Sequence, residues 1–95
     1  MKDNHALVED IWQLVYDTFE RPKITISQRL GMAKEGQQVE IRLMKNLAKL
    51  KQNTKDAEVL QAVRGDVMLA QTISKMTPER AEDIQLLLDK LEGTK

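Results

Sequence analysis

Cysteine is absent from the chain. That removes disulfide frameworks, thiol catalysis and cysteine-based zinc or iron–sulfur sites. Small secreted domains often need covalent staples, so the absence points to a reducing compartment, with the cytoplasm as the expected location. Aromatic residues are nearly absent too, with one Trp, one Tyr and one Phe, so the core must be aliphatic. The only histidine, His5, has no companions with which to form a metal site or a catalytic dyad. Two prolines and four glycines leave no long flexible linker and no phosphate-cradling glycine loop. No apolar run approaches the ~18 residues of a membrane-spanning helix. Met1–His5 is polar and leads into an amphipathic stretch rather than the apolar block of a signal peptide.

What is present is a 95-residue chain, 41% hydrophobic and 32% charged. This is the balance of one folded, helix-rich domain spanning residues 1–95. Side chains placed at 100° steps resolve four helical segments and no convincing strand. The first runs from about Asn4 to Arg21, capped by Asp3 or Asn4 and stopped before Pro22. Leu7, Val8, Ile11, Trp12, Leu14, Val15, Tyr16 and Phe19 fill an apolar arc of roughly 200°, wider than the stripe of an ordinary surface helix. Ile24–Ile26 forms an extended linker, and Thr25 or Ser27 caps a second helix over 27–52. That helix carries Met32, Gly36, Val39, Leu43, Leu47 and Leu50 on one stripe, and Leu30, Ile41, Met44 and Ala48 beside it. Gly31 and Gly36 weaken its first part.

The third helix spans about 55–76. Val59, Leu60, Ala62, Val63, Val67, Leu69, Ala70, Ile73 and Met76 supply its apolar side. Asp66 falls at the centre of that arc, where an unpaired carboxylate is very costly. The cheaper solution is a break at Gly65, with Asp66 capping a second piece from Val67. The alternative is an unbroken helix with Asp66 buried against a Lys or Arg. The fourth helix, 78–92, has the clearest signals: Thr77 as N-cap, Pro78 at the first helical position, and Gly93 past its end. Its stripe is Ala81, Ile84, Leu87, Leu88 and Leu91. Met68 and Leu86 project from the polar sides of their helices. The expected fold is all-α: a compact, roughly antiparallel four-helix bundle with short connections.

The formal charge is zero, from 15 basic and 15 acidic residues, which excludes a generic polycation. The zero is a cancellation between segments. Residues 1–20 hold one base and five acids, residues 21–55 nine bases and two acids, and residues 56–95 five bases and eight acids. On the second helix Lys34, Arg42, Lys45 and Lys49 share one side, a basic face of roughly 22 Å at ~1.5 Å per residue. That face is a solvated surface, a steering surface for the acidic first helix, or a contact strip for phosphates or another anionic partner. No aromatic residue interleaves it to stack on bases, and no helix-turn-helix pattern accompanies it.

Trp12, Tyr16 and Phe19, at i, i+4 and i+7, line one edge of the first helix. They pack into the core or form a docking edge for a protein partner or a second copy, since Trp and Tyr are enriched at interface hot spots. The surplus width of the apolar arcs of the first three helices points to a homodimer or a partner-binding groove. No cluster of nucleophile, base and oxyanion donor is present, so no enzyme, cofactor or small-molecule substrate is inferred. The expected function is a small cytosolic regulator or adaptor that works by protein contact. Nucleic-acid association through the basic face is an alternative. In length, lack of cysteine and helical architecture the chain also resembles small bacteriocin immunity proteins, which protect a bacterial cell from a toxin peptide. The resemblance rests on no motif and implies no site residues.

Overall fold

The computed structural model describes residues 3–19 and 35–93, with side chains from residue 38 onward in the second stretch. Four helices follow one another: α1 (Asn4–Thr18), α2 (Glu35–Gln52), α3 (Ala57–Thr72) and α4 (Pro78–Gly93). No strand occurs among the described residues. The extended linker, the caps at Thr25 or Ser27, Gly31, and the start of the second helix at residue 27 all lie outside the described residues.

The helix starts follow from their capping chemistry. The Asp3 carboxylate accepts from the Ala6 amide at 2.8 Å, answering one of the first-turn donors that have no intrahelical partner. Asp56 does the same for α3, accepting from the Glu58 and Val59 amides. That is why α3 begins at Ala57 rather than at Lys55. Thr77 accepts from the Arg80 amide at 3.2 Å ahead of Pro78, as its spacing predicts.

Two helices end earlier than expected. The first was expected to reach Arg21, but α1 stops at Thr18, with Phe19 as its C-cap donating back to the Val15 carbonyl at 3.1 Å. The Thr18 hydroxyl turns back to the Leu14 carbonyl at 2.6 Å, the backbone-seeking habit that makes threonine a weak helix former. Likewise, α3 stops at Thr72 and not at Met76. The Lys75 amide donates to the Ala70 carbonyl at 2.8 Å and the Ser74 amide to the Gln71 carbonyl at 3.0 Å. These two bonds define a Schellman turn. They force Ser74 to φ 61, the left-handed position that glycine normally fills. The turn redirects the chain so that Met76, outside any helix, is buried.

Each helix packs on two others, in the closed order α1–α2–α3–α4–α1. Cross-helix bonds fix the directions. Glu9 near the start of α1 pairs with Lys51 at the end of α2, while Arg80 at the start of α4 donates to the Leu14 carbonyl near the end of α1 at 3.4 Å. Asn46 of α2 meets Asp66 of α3, and Arg64 of α3 meets Gln85 of α4. Neighbours are therefore antiparallel, and the fold is the four-helix bundle the periodicity predicts. α2 and α4 stand on opposite corners.

The buried core draws on every helix: Leu7, Val8, Ile11 and Val15 from α1, Val39, Leu43, Leu47 and Leu50 from α2, Leu60, Val63, Val67 and Ala70 from α3, and Ala81, Ile84, Leu88 and Leu91 from α4. Each large side chain removed from water contributes ~1.5–3 kcal/mol before conformational entropy is subtracted. The surplus width of the apolar arcs is mostly taken up inside the chain. Trp12, Leu14, Phe19, Met44, Val59, Ile73 and Leu87 pack half-buried around the core. Large hydrophobic side chains left exposed among the described residues are Met68, Leu69 and Leu86.

Candidate functional site

α3 is continuous through Gly65. The break expected there does not occur, and Asp66 caps nothing. Gly65 sits on the exposed side, and a Cβ built on it would meet nothing within 4 Å. The glycine therefore costs about 1 kcal/mol of helix propensity and leaves no void. Asp66 faces inward and is 6% exposed. Its partner is neither Lys nor Arg but Asn46 of α2, whose amide donates to the carboxylate at 2.7 Å. A neutral amide brings a donor without the desolvation cost of a second charge. With this bond in place, no buried side-chain polar atom among the described residues lacks a partner.

Arg64 forms a second polar node. It donates to Gln85 at 2.8 Å, Asp89 at 2.6 Å and Glu92 at 2.8 Å, while Gln85 donates back to the Arg64 carbonyl at 3.3 Å. Burial lowers the tendency of the guanidinium to hold its proton. The hydrogen bonds and charges of Asp89 and Glu92 outweigh that and raise it. The node ties α3 to α4. Gln85, Asp89 and Glu92 recur at i, i+4 and i+7 on one face of α4, a signal that sequence alone carried. Burial likewise raises the Glu40 carboxyl above the ordinary glutamate range, against the opposing charge of Lys75.

The aromatic edge of α1 is partly occupied. Trp12, Tyr16 and Phe19 are each half-buried, and Trp12 and Phe19 pack against the core. The Lys51 ammonium lies 5.9 Å from the Trp12 ring centroid, within cation–π range, and also pairs with Glu9.

On α2, Arg42, Lys45 and Lys49 are all exposed and form no ion pair among the described residues. Lys34 lies outside the described residues. Lys45 is central, with Arg42 and Lys49 at i−3 and i+4 and the exposed Ala48 at i+3. No acidic side chain is exposed on α2 from residue 38 onward.

The other outward faces differ in kind. On α3 the exposed residues are uncharged apart from Glu58, with Gly65 at the centre flanked by Ala62, Met68 and Leu69. On α4 the centre is Leu86, 52% exposed, surrounded by Glu82, Asp83, Asp89 and Lys90 at i−4, i−3, i+3 and i+4, with Glu79 one turn further back.

Clefts open at both ends of the bundle among the described residues. One of about 530 Å³ lies at the α3–α4 turn, among Thr18, Lys75, Thr77 and Arg80. The other, of about 440 Å³, lies at the opposite end, among Lys55, Leu60, Gln61 and Leu91. Among the described residues no group of three or more metal-ligating side chains could hold an ion, and no helix is long and apolar enough to cross a membrane. Protein-family models, curated proteins and solved structures provide no match to the chain.

Proposed function

We propose that this chain is a non-enzymatic protein-interaction module whose contact surface is the basic face of α2. The observation that carries this reading is the trio Arg42, Lys45 and Lys49, exposed on one face and forming no ion pair among the described residues. Elsewhere in the bundle, three polar contacts hold helices together: Arg64 on α4, Asp66 on Asn46, and Lys51 on Glu9. A face of one sign steers an oppositely charged partner and fixes its register. Trp12 and Phe19 already serve the core, so the contact moves from the aromatic edge of α1 to α2.

Backbone amide NMR during titration with a polyglutamate peptide tests the reading. Resonance shifts should centre on Arg42, Lys45 and Lys49, weaken with added salt, and vanish in the Lys45→Ala/Lys49→Ala variant. Unmoved resonances at low salt overturn it. The same exposed trio supports a second reading, nucleic-acid association. Here duplex DNA in place of the peptide should bind with a log–log salt slope of about −3, for three phosphates neutralised.

A further inference from the structure

The geometry points to a second copy of this chain as the partner: the acidic face of α4, centred on Leu86, docks on the basic face of α2 of the next copy. This rests on the reading of α2 as a contact surface and names its occupant.

Three observations combine. The two faces are opposite in net sign, since Glu82, Asp83 and Asp89 around Leu86 outnumber the one cation, Lys90. Glu79, Glu82 and Asp83 are exposed on α4, as are Arg42, Lys45 and Lys49 on α2. They are also matched in relief. Leu86 stands out from α4 with 52% exposure among charged neighbours. On α2 the small exposed Ala48 and the half-buried Ile41 lie beside Lys45, a low apolar spot bordered by cations. An apolar anchor flanked by complementary charge is the arrangement that gives an interface both register and contact energy. Finally, copies approach one another without net repulsion, because the formal charge of the chain is zero.

The placement of the faces determines the kind of assembly. α2 and α4 occupy opposite corners of the ring and are not packing neighbours. One contact uses α4 of the first copy and α2 of the second, leaving α2 of the first and α4 of the second free. The contact is heterologous and does not close as a two-fold pair, so growth continues head to tail into a ring or an open chain. One helix face on another buries less than the ~1,200 Å² of a standard interface, so each contact is weak and reversible.

The test uses the full chain and two variants that each block one face with exposed alanines: Lys45→Ala/Lys49→Ala on α2, and Glu82→Ala/Asp83→Ala/Leu86→Ala on α4. Circular dichroism first confirms that both remain helical and melt cooperatively. By sedimentation and light scattering at low salt, the mass of the unmodified chain should rise with concentration past that of a dimer. It should return to the monomer in about 0.5 M salt, where screening reaches within a few ångströms. Each variant alone should stay monomeric. An equimolar mixture keeps one intact α2 face and one intact α4 face, so it should form a one-to-one heterodimer and stop there.

Association that survives in either variant alone, or that ends at a homodimer, overturns the proposal. So does a monomer at millimolar concentration. If that monomer still shows polyglutamate shifts on α2, only the second copy is refuted; if it shows none, the contact surface itself is refuted.

Discussion

Replacing Asn46 by Leu removes the donor that satisfies Asp66 while nearly preserving side-chain volume. The carboxylate is 6% exposed and accepts from the Asn46 amide at 2.7 Å. Hydrogen bonds to charged groups are worth ~1.5–3 kcal/mol, and a buried acceptor left without its donor incurs its desolvation cost. We take about 2 kcal/mol as the expected loss, and at ~4–8 °C per kcal/mol for a domain this size the melting point should fall by roughly 8–16 °C. Far-ultraviolet circular dichroism during heating and in urea measures it. The urea midpoint should drop with the slope unchanged, the mark of lost stability rather than an altered denatured state. The double variant Asn46→Leu/Asp66→Leu should recover most or all of the loss, because an apolar pair has nothing left to satisfy. A melting point for Asn46→Leu within a degree or two of the unmodified chain would refute the role given to this bond. A double variant as unstable as the single one would show that Asn46 matters for packing and not for Asp66.

Gly65→Ala should raise stability by about 1 kcal/mol, since the site is helical, exposed and open around the new Cβ; a destabilised variant in a thermal melt would mean that the helix needs glycine there. Ser74→Gly should stabilise by about 1 kcal/mol by relieving the left-handed strain at φ 61, read as a higher urea midpoint. Glu40→Gln should raise the melting point at neutral pH. The folded-state pKa of Glu40 lies above its ordinary value, so the carboxylate disfavours folding once ionised, and that penalty disappears as the pH falls below the usual glutamate range. The gap between the two melting curves should therefore close on acidification, and a gap that persists in acid would assign the effect to packing.

Much of this bundle was legible in local sequence. Asp3 and Thr77 announce their helices because a cap is an interaction over three residues. Val39, Leu43, Leu47 and Leu50 are buried where their spacing placed them, because periodicity encodes a face. What stayed hidden depends on the register between helices. Nothing within α3 states that Asp66 will lie opposite an asparagine of α2, so a break at Gly65 was the cheaper local solution. Leu69, placed on the apolar side, is 37% exposed, because a single-helix wheel does not fix where a neighbour's coverage ends. The end of α3 at Thr72 was hidden for another reason. Its Schellman turn uses serine where glycine would have marked the stop. The basic face of α2 was visible from its spacing. Its opposition to the acidic face of α4 emerged only once the order around the ring was known.

That ring order bears on how the chain reaches its structure. α2 meets α3 across residues 53–56, and α3 meets α4 across residues 73–77. Both hairpins close small loops, which costs little entropy and favours fast folding. The contact between α1 and α4 joins the two ends of the described chain and closes the longest loop. The α2–α3 and α3–α4 pairings therefore carry the lower closure cost, and the α1–α4 pairing the highest. A chain caught before the α1 contacts form would expose the apolar sides of α2 and α4 that α1 covers, a hazard set by loop closure and separate from the stability of the finished bundle.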